Sequence, residues 1–262
     1  MTFWAGGLSY RGSRFYGWQL QNDVITVQAE LERALSAIAN HPIRVHAAGR
    51  TDRGVHATGQ VFGFKSRSER DAETWLRGAN GLTQDSIRVD WLQEVDECFH
   101  ARFSAVARRY HFIYMDEDRF ADPSLADQVW HCAELDADAM HRAAQALVGE
   151  HDFTTFRAAG CQSNSPMRRI NYCRVWRDGA LVALEIEANA FLLHMVRNIA
   201  TFLCDVGAGK AVRPVGELLA ARDRKLIGAT APASGLYLSG VRYPNYTFPP
   251  ARVPVLIRTP EL

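Results

Sequence analysis

The sequence predicts an α+β protein made of two halves, each with the element order βαββαβ. Three observations carry this. Short runs alternate apolar and polar residues with the period of a strand, stretches between them repeat apolar residues at helical spacing, and after residues 103–107 the same order begins again. That order is the ferredoxin-like split-βαβ pattern, with a mixed, mainly antiparallel sheet. We therefore divide the 262 residues into an N-terminal half, 1–104, a C-terminal half, 105–246, and a tail, 247–262. No low-complexity linker separates the halves, so they are expected to share a sheet or pack edge to edge around a central cleft, a common place for a ligand.

The first half opens with a strand from Phe3 to Tyr10, followed by an aromatic and glycine-rich loop, Arg11 to Gln19. From Thr26 a helix is predicted, with Val27, Leu31, Leu35 and Ile38 on one stripe. Ile43 to His46 and Val61 to Phe64 read as strands flanking a loop, Ala48 to Gln60. A helix from Glu69 to Ala79 and a strand from Ile87 to Leu92 complete the half.

In the second half, Arg108 to Met115 alternates as a strand. Asp136 or Asp138 can cap a helix through Val148, which Gly149 can end. Ile170 to Trp176 and Leu181 to Glu187 form a hairpin through Asp178-Gly179. Asn189 to Val206 is apolar nearly all round and is expected as a buried helix ending at Gly207. A short helix at Val215 to Ala221 and a strand at Leu236 to Arg242 follow.

Composition narrows the class. With 47% hydrophobic and 23% charged residues the chain is an ordinary soluble globular protein. The net charge of +1 gives little overall steering field, so a nucleic-acid face would come from local clusters such as Arg102, Arg108 and Arg109, or Arg168, Arg169, Arg174 and Arg177. Five cysteines with no Cys-x-x-Cys pair argue against a disulfide framework or structural zinc and for a reducing compartment. The N-terminus lacks a secretory pattern and no apolar run is long enough to span a membrane, so a cytoplasmic protein without membrane association is expected.

The most informative stretch is Ala48-Gly49-Arg50-Thr51-Asp52-Arg53-Gly54-Val55-His56-Ala57-Thr58-Gly59-Gln60. An Asp-Arg-Gly turn alone is commonplace. Here the carboxylate stands between two guanidinium groups that attract phosphate, although a fixed anion repels nucleic acid; a nucleophile is one reason to place it there. The run Gly-Arg-Thr-Asp-x-Gly-Val-His-Ala resembles the signature of the TruA family of tRNA pseudouridine synthases. The resemblance continues through Tyr10-Arg11-Gly12-Ser13, Phe99-His100-Ala101-Arg102-Phe103, Arg108-Arg109-Tyr110 and Gly235-Leu236-Tyr237, nearly the whole chain.

The resemblance implies isomerisation of uridine to pseudouridine at positions 38, 39 and 40 of the tRNA anticodon stem-loop, by a homodimer with no cofactor and no metal. It implies Asp52 as nucleophile, Tyr110 on the base, Arg50 assisting base flipping, Arg197 pairing with Asp52 and Leu236 against the target base. RNA contacts are expected at Phe99, His100, Ala101, Arg102 and Phe103, and at Cys161, Gln162, Ser163 and Asn164. The residues themselves fit those roles. A strand Tyr preceded by two arginines offers either sheet packing or a stacking surface, and an Arg in an apolar helix requires a partner. Asn164 and Met167 depart from the basic or aromatic residues the family often carries there. Three other classes are open on residues alone: a nucleoside glycosidase, for which no second carboxylate motif is evident; a metal nuclease using Asp52, His46 and His56; and a non-catalytic RNA-binding protein.

Overall fold

The computed structural model describes residues 1–116 and 122–259. It is α+β, and the chain forms two compact units: Met1–Arg108 with Tyr237–Val253, and Arg109–Leu236 with the segment from Pro254.

In the first unit, β1 (Thr2–Tyr10), α1 (Val27–Ala39), β2 (His46–Ala47), β3 (His56–Ser66), α2 (Ala72–Leu82) and β4 (Ile87–Val95) follow the predicted order. The sheet runs β4-β1-β3 with β2 on the far side of β3, and these pairs are all antiparallel. The Thr26 hydroxyl accepts from Ala29 N and starts α1, and Asp71 accepts from Thr74 N and starts α2. That cap explains why α2 begins at Ala72 rather than Glu69. Gly78 lets the two helices approach, because a Cβ there would lie 2.8 Å from Ile38 Cδ1. Trp4, Phe62, Phe64 and Trp75 fill the core beneath, with Phe64 and Trp75 edge to face at 5.1 Å.

Two boundaries differ from the sequence pattern. Ile43 and Val45 are buried without joining the ladder, so β2 is only His46–Ala47. Conversely β3 starts at His56, which leaves 48–55 as the loop. The residues from Tyr237, assigned by sequence to the second half, cluster with the first. The strand β10 (Leu236–Arg242) lies parallel to β3, pairing Tyr237 with His56 and Leu238 with Ala57. Beyond it Tyr243, Tyr246 and Phe248 pack around Phe99.

The second unit contains β5 (Ala107–Asp116), β6 (Trp130–Cys132), α3 (Ala137–Gln145), β7 (Gly149–Asp152), β8 (Met167–Asp178), β9 (Leu181–Ala188), α4 (Met195–Gly207) and α5 (Val215–Ala221). Its strands run β5-β9-β8-β7, with β6 parallel to β5. Asp136 is the cap of α3. That helix stops at Gln145, short of Val148, because Leu147 and Val148 turn with tighter i to i−3 bonds; Gly149 (φ 112°) opens β7 instead. Helix α4 starts six residues after Asn189. The Asn189 side chain accepts from Ala190 N and Arg169 N, an alternative to helix, and His194 adopts φ 57° just before Met195.

On β5, His111 is buried and its pKa is pushed down to about 3, first by burial and then by Arg109 and Arg174. These outweigh Glu185, 3.8 Å away. A free His titrates near 6.5. Between that value and about 3 the unfolded chain binds a proton that the folded chain refuses, so stability falls as pH falls through this window. We expect urea unfolding to show a loss of about 2 kcal/mol from this group between pH 7.5 and 5, and His111→Gln to flatten that slope. An unchanged slope in the variant would remove His111 as its source.

Candidate active site

The Asp52 loop is a clamped turn. Val55 N donates to Asp52 O at 3.1 Å, and Gly54 at φ 84° occupies the left-handed position the turn requires. Trp18 N donates to Thr51 O, and Ala48 N to Val61 O. Gln60, fully buried, donates from Nε2 to Gly49 O at 2.6 Å while its Oε1 accepts from Gly49 N. The Tyr10 hydroxyl meets Thr51 Oγ1 at 2.7 Å and receives Gln60 Nε2 at 3.5 Å. Burial pushes the Tyr10 phenol up to about 12, against the opposing pull of Thr51 and Gln60. It is therefore a neutral structural group, fixing the residue next to a half-buried Asp52.

The two flanking arginines part company. Both are exposed, but the Arg53 guanidinium lies 4.2 Å over the Tyr16 ring. Arg108 links the loop to the 99–103 segment: its Nη2 donates to Ala48 O at 3.0 Å and to Arg102 O at 2.6 Å. Within that segment the residues divide by burial. Phe99 packs in the aromatic cluster and Ala101 is buried, its carbonyl accepting from Tyr243 Oη. His100 Nδ1 accepts from the Arg102 and Phe103 amides. Arg102 and Phe103 are exposed, Phe103 at 76%.

The second unit gathers its own set. Tyr110 is half-buried and edge-on to Phe191 at 5.2 Å. Phe191 belongs to the irregular segment before α4, where Leu193 N donates to Cys161 Sγ and Leu193 O accepts from Ala158 N. Arg157 donates to both Cys161 O and Ser163 O, and Arg168 donates to Ser163 Oγ at 2.6 Å. Gln162 and Asn164 are left exposed. Burial raises the Cys161 thiol, but the Leu193 and Ser163 amides and Arg157 outweigh it and hold it below the usual thiol range. Arg197 sits in the first turn of α4, half-buried, with Nε donating to Ala231 O at 2.7 Å. Leu236 is buried, and Gly235 before it admits no side chain: a Cβ would fall 2.7 Å from the Phe112 ring.

His46 and His56, the ligands a metal nuclease would need, do not converge with Asp52. His56 Nδ1 accepts from Gly12 N and its ring stacks on Tyr237 at 4.7 Å, while His46 faces the His100 ring at 5.2 Å. Among the described residues no cluster of three or more His, Cys, Asp or Glu side chains is arranged to hold a metal. Tyr10 and Gln60 lie inside the motif stretches and Arg168 in a basic cluster, but nothing in the sequence pairs them, or Arg157, with the backbone and hydroxyl groups they support.

Tyr10→Phe tests the clamp. Removing one buried hydroxyl is expected to cost about 1–3 kcal/mol of stability and to lower the single-turnover rate more than substrate affinity. A variant with reduced stability and an unaltered rate would restrict Tyr10 to the fold.

A family profile described as tRNA pseudouridine synthase matches residues 8–104 and 143–244. A tRNA pseudouridine synthase A from Aeromonas hydrophila is 52% identical over 240 residues, covering 91% of this chain and 89% of the relative. One from an Enterobacter species is 52% identical over 241 residues, with the same coverage of both.

Proposed function

This chain belongs to the tRNA pseudouridine synthase family, so its reaction is isomerisation of uridine to pseudouridine in tRNA, and we propose that Asp52 is the nucleophile and uridines 38, 39 and 40 of the anticodon stem-loop are the targets. The observation that carries the assignment is the Tyr10-Thr51-Gln60 clamp, which holds Asp52 half-buried on a turn otherwise fixed by backbone bonds. In the reaction the N1–C1′ bond breaks, the uracil turns and C5–C1′ forms. The C5 hydrogen leaves as a proton to water and N1 regains one. The base has to leave its stack for this to happen.

Asp52 supplies the carboxylate that bonds to C1′ or C6 and departs when the new glycosidic bond is complete. Arg50, exposed beside it, enters the helix stack in place of the flipped base. Tyr110 holds the detached ring and relays the C5 proton, and Leu236 packs against the ring. Arg197 pairs with Asp52 and orients it. Arg102, Phe103, Gln162 and Asn164, all exposed, contact the RNA directly; Phe99, His100, Ala101, Cys161 and Ser163 shape the segments that carry them. The overall change is redox-neutral, and side chains suffice for it.

We infer a homodimer acting in the cytoplasm. Cys98, Cys132, Cys161, Cys173 and Cys204 are free thiols, which fits a reducing compartment, and no described helix is long and apolar enough to cross a membrane.

The test of this reading is tritium release from tRNA labelled at uridine C5, in buffer containing a chelator. Release matching the uridines at 38, 39 and 40, abolished when all three are replaced by cytidine, is the expected result. Release that persists in that triple replacement would move the target elsewhere in the tRNA, and tight tRNA binding without release would favour a binding protein.

A further inference from the structure

A cavity of about 510 Å³ opens within the first unit, lined by residues outside the Asp52 loop. Its size is that of a small-molecule site, typically ~300–1,000 Å³. Two partly exposed aromatic residues, Phe3 and Phe99, line it. Gly63 keeps the space between them open, since a Cβ there would stand 3.2 Å from the Phe99 ring. Against this apolar wall stand three cations, Arg44, Lys65 and Arg67, and one carboxylate, Glu97. Arg44 is already held by Glu32 at 2.9 Å. Lys65 and Arg67 are exposed, and neither side chain forms an ion pair among the described residues.

A planar ring satisfies the aromatic wall and a phosphate satisfies the two exposed cations. A purely aliphatic, uncharged ligand would leave those cations unused; a bare phosphate would leave the wall unused. Glu97 provides an acceptor of the kind a ribose hydroxyl needs. Phe99 and His100 line this cavity and also belong to the 99–103 segment, where the exposed Phe103 ring lies 4.4 Å from that of His100. An aromatic surface thus continues outward from the mouth.

We propose that this cavity is a nucleotide subsite, taking one base with its phosphate apart from the uridine that reacts. The nucleotide comes either from the bound RNA, in which case the proposal extends the tRNA reading above, or from the free nucleotide pool.

The test uses the full-length protein, uridine 5′-monophosphate and adenosine 5′-monophosphate as free probes, uridine and inorganic phosphate as half-ligands, and tRNA. NMR titration is expected to show the monophosphates shifting resonances of Phe3, Lys65 and Arg67 and to show each half-ligand binding at least tenfold more weakly. The double variant Lys65→Glu/Arg67→Glu is expected to weaken monophosphate binding about tenfold or more. The control pair Arg77→Glu/Arg88→Glu, exposed on the same unit, is expected to leave it unchanged.

The tRNA arm separates the two sources. If the nucleotide belongs to RNA, the monophosphates compete with tRNA and Lys65→Glu/Arg67→Glu raises the KM for tRNA about tenfold beyond the control pair. If it is free, monophosphate binding is lost in the variant while the KM stays with the control. No perturbation at Phe3, Lys65 or Arg67 by millimolar monophosphate, together with equal KM values for the two double variants, overturns the subsite. Monophosphate binding at these residues in a protein that releases no tritium from tRNA would retain the subsite and overturn the tRNA reading instead.

Discussion

Asp52→Asn is expected to bind tRNA normally and to lose turnover by about four orders of magnitude or more, the scale seen when a covalent nucleophile is removed. The replacement is nearly isosteric and keeps hydrogen-bonding capacity, but an amide has no anionic oxygen with which to form the bond. Its effect on the fold should be small because the turn is held by other atoms: Val55 N on Asp52 O, Trp18 N on Thr51 O and the Gln60 side chain on Gly49. Tritium release measured beside filter binding of the same tRNA checks this directly. Release within tenfold of wild type would end the nucleophile assignment, and lost binding with a lowered unfolding midpoint would show that the carboxylate serves the fold.

How much of this was legible in the sequence follows from the range of each interaction. The helix starts at Val27 and Ala137 rest on Thr26 and Asp136, residues adjacent to the helices they cap, and the Asp178-Gly179 hairpin is equally local. Strands β6 and β7 are three and four residues long, too short for an alternating pattern to emerge. The return of the chain at Tyr237 depends on a register with His56 set across most of the sequence. At the site, the motif holding Asp52 stands out because its residues are contiguous. The Tyr10–Thr51 bond spans 41 positions and the Tyr10–Gln60 bond 50, and neither residue pair carries a local signature. Arg197 was visible because charge in an apolar helix is costly, but its place in the first turn, with Nε on Ala231 O, depends on where Asn189 and His194 delay the helix.

Arg197→Met is expected to lower kcat/KM by about 10²–10⁴, the equivalent of roughly 3–5 kcal/mol for breaking a desolvated pair from one side. Methionine keeps an unbranched apolar stem and removes the guanidinium, so Ala231 O loses its donor and, in the proposed site, Asp52 loses its orienting cation. Those two losses have different consequences. The first is a matter of stability and would appear in the unfolding midpoint whatever residue occupies position 52. The second exists only while Asp52 is a carboxylate. In the Asp52→Asn background Arg197→Met should therefore add little further loss of rate, whereas independent effects would multiply. Arg197→Lys should recover part of the rate, because it restores charge without the two-pronged geometry. If the double variant is slower than Asp52→Asn by the full factor seen in the wild-type background, Arg197 acts through the fold of α4 and not on the nucleophile.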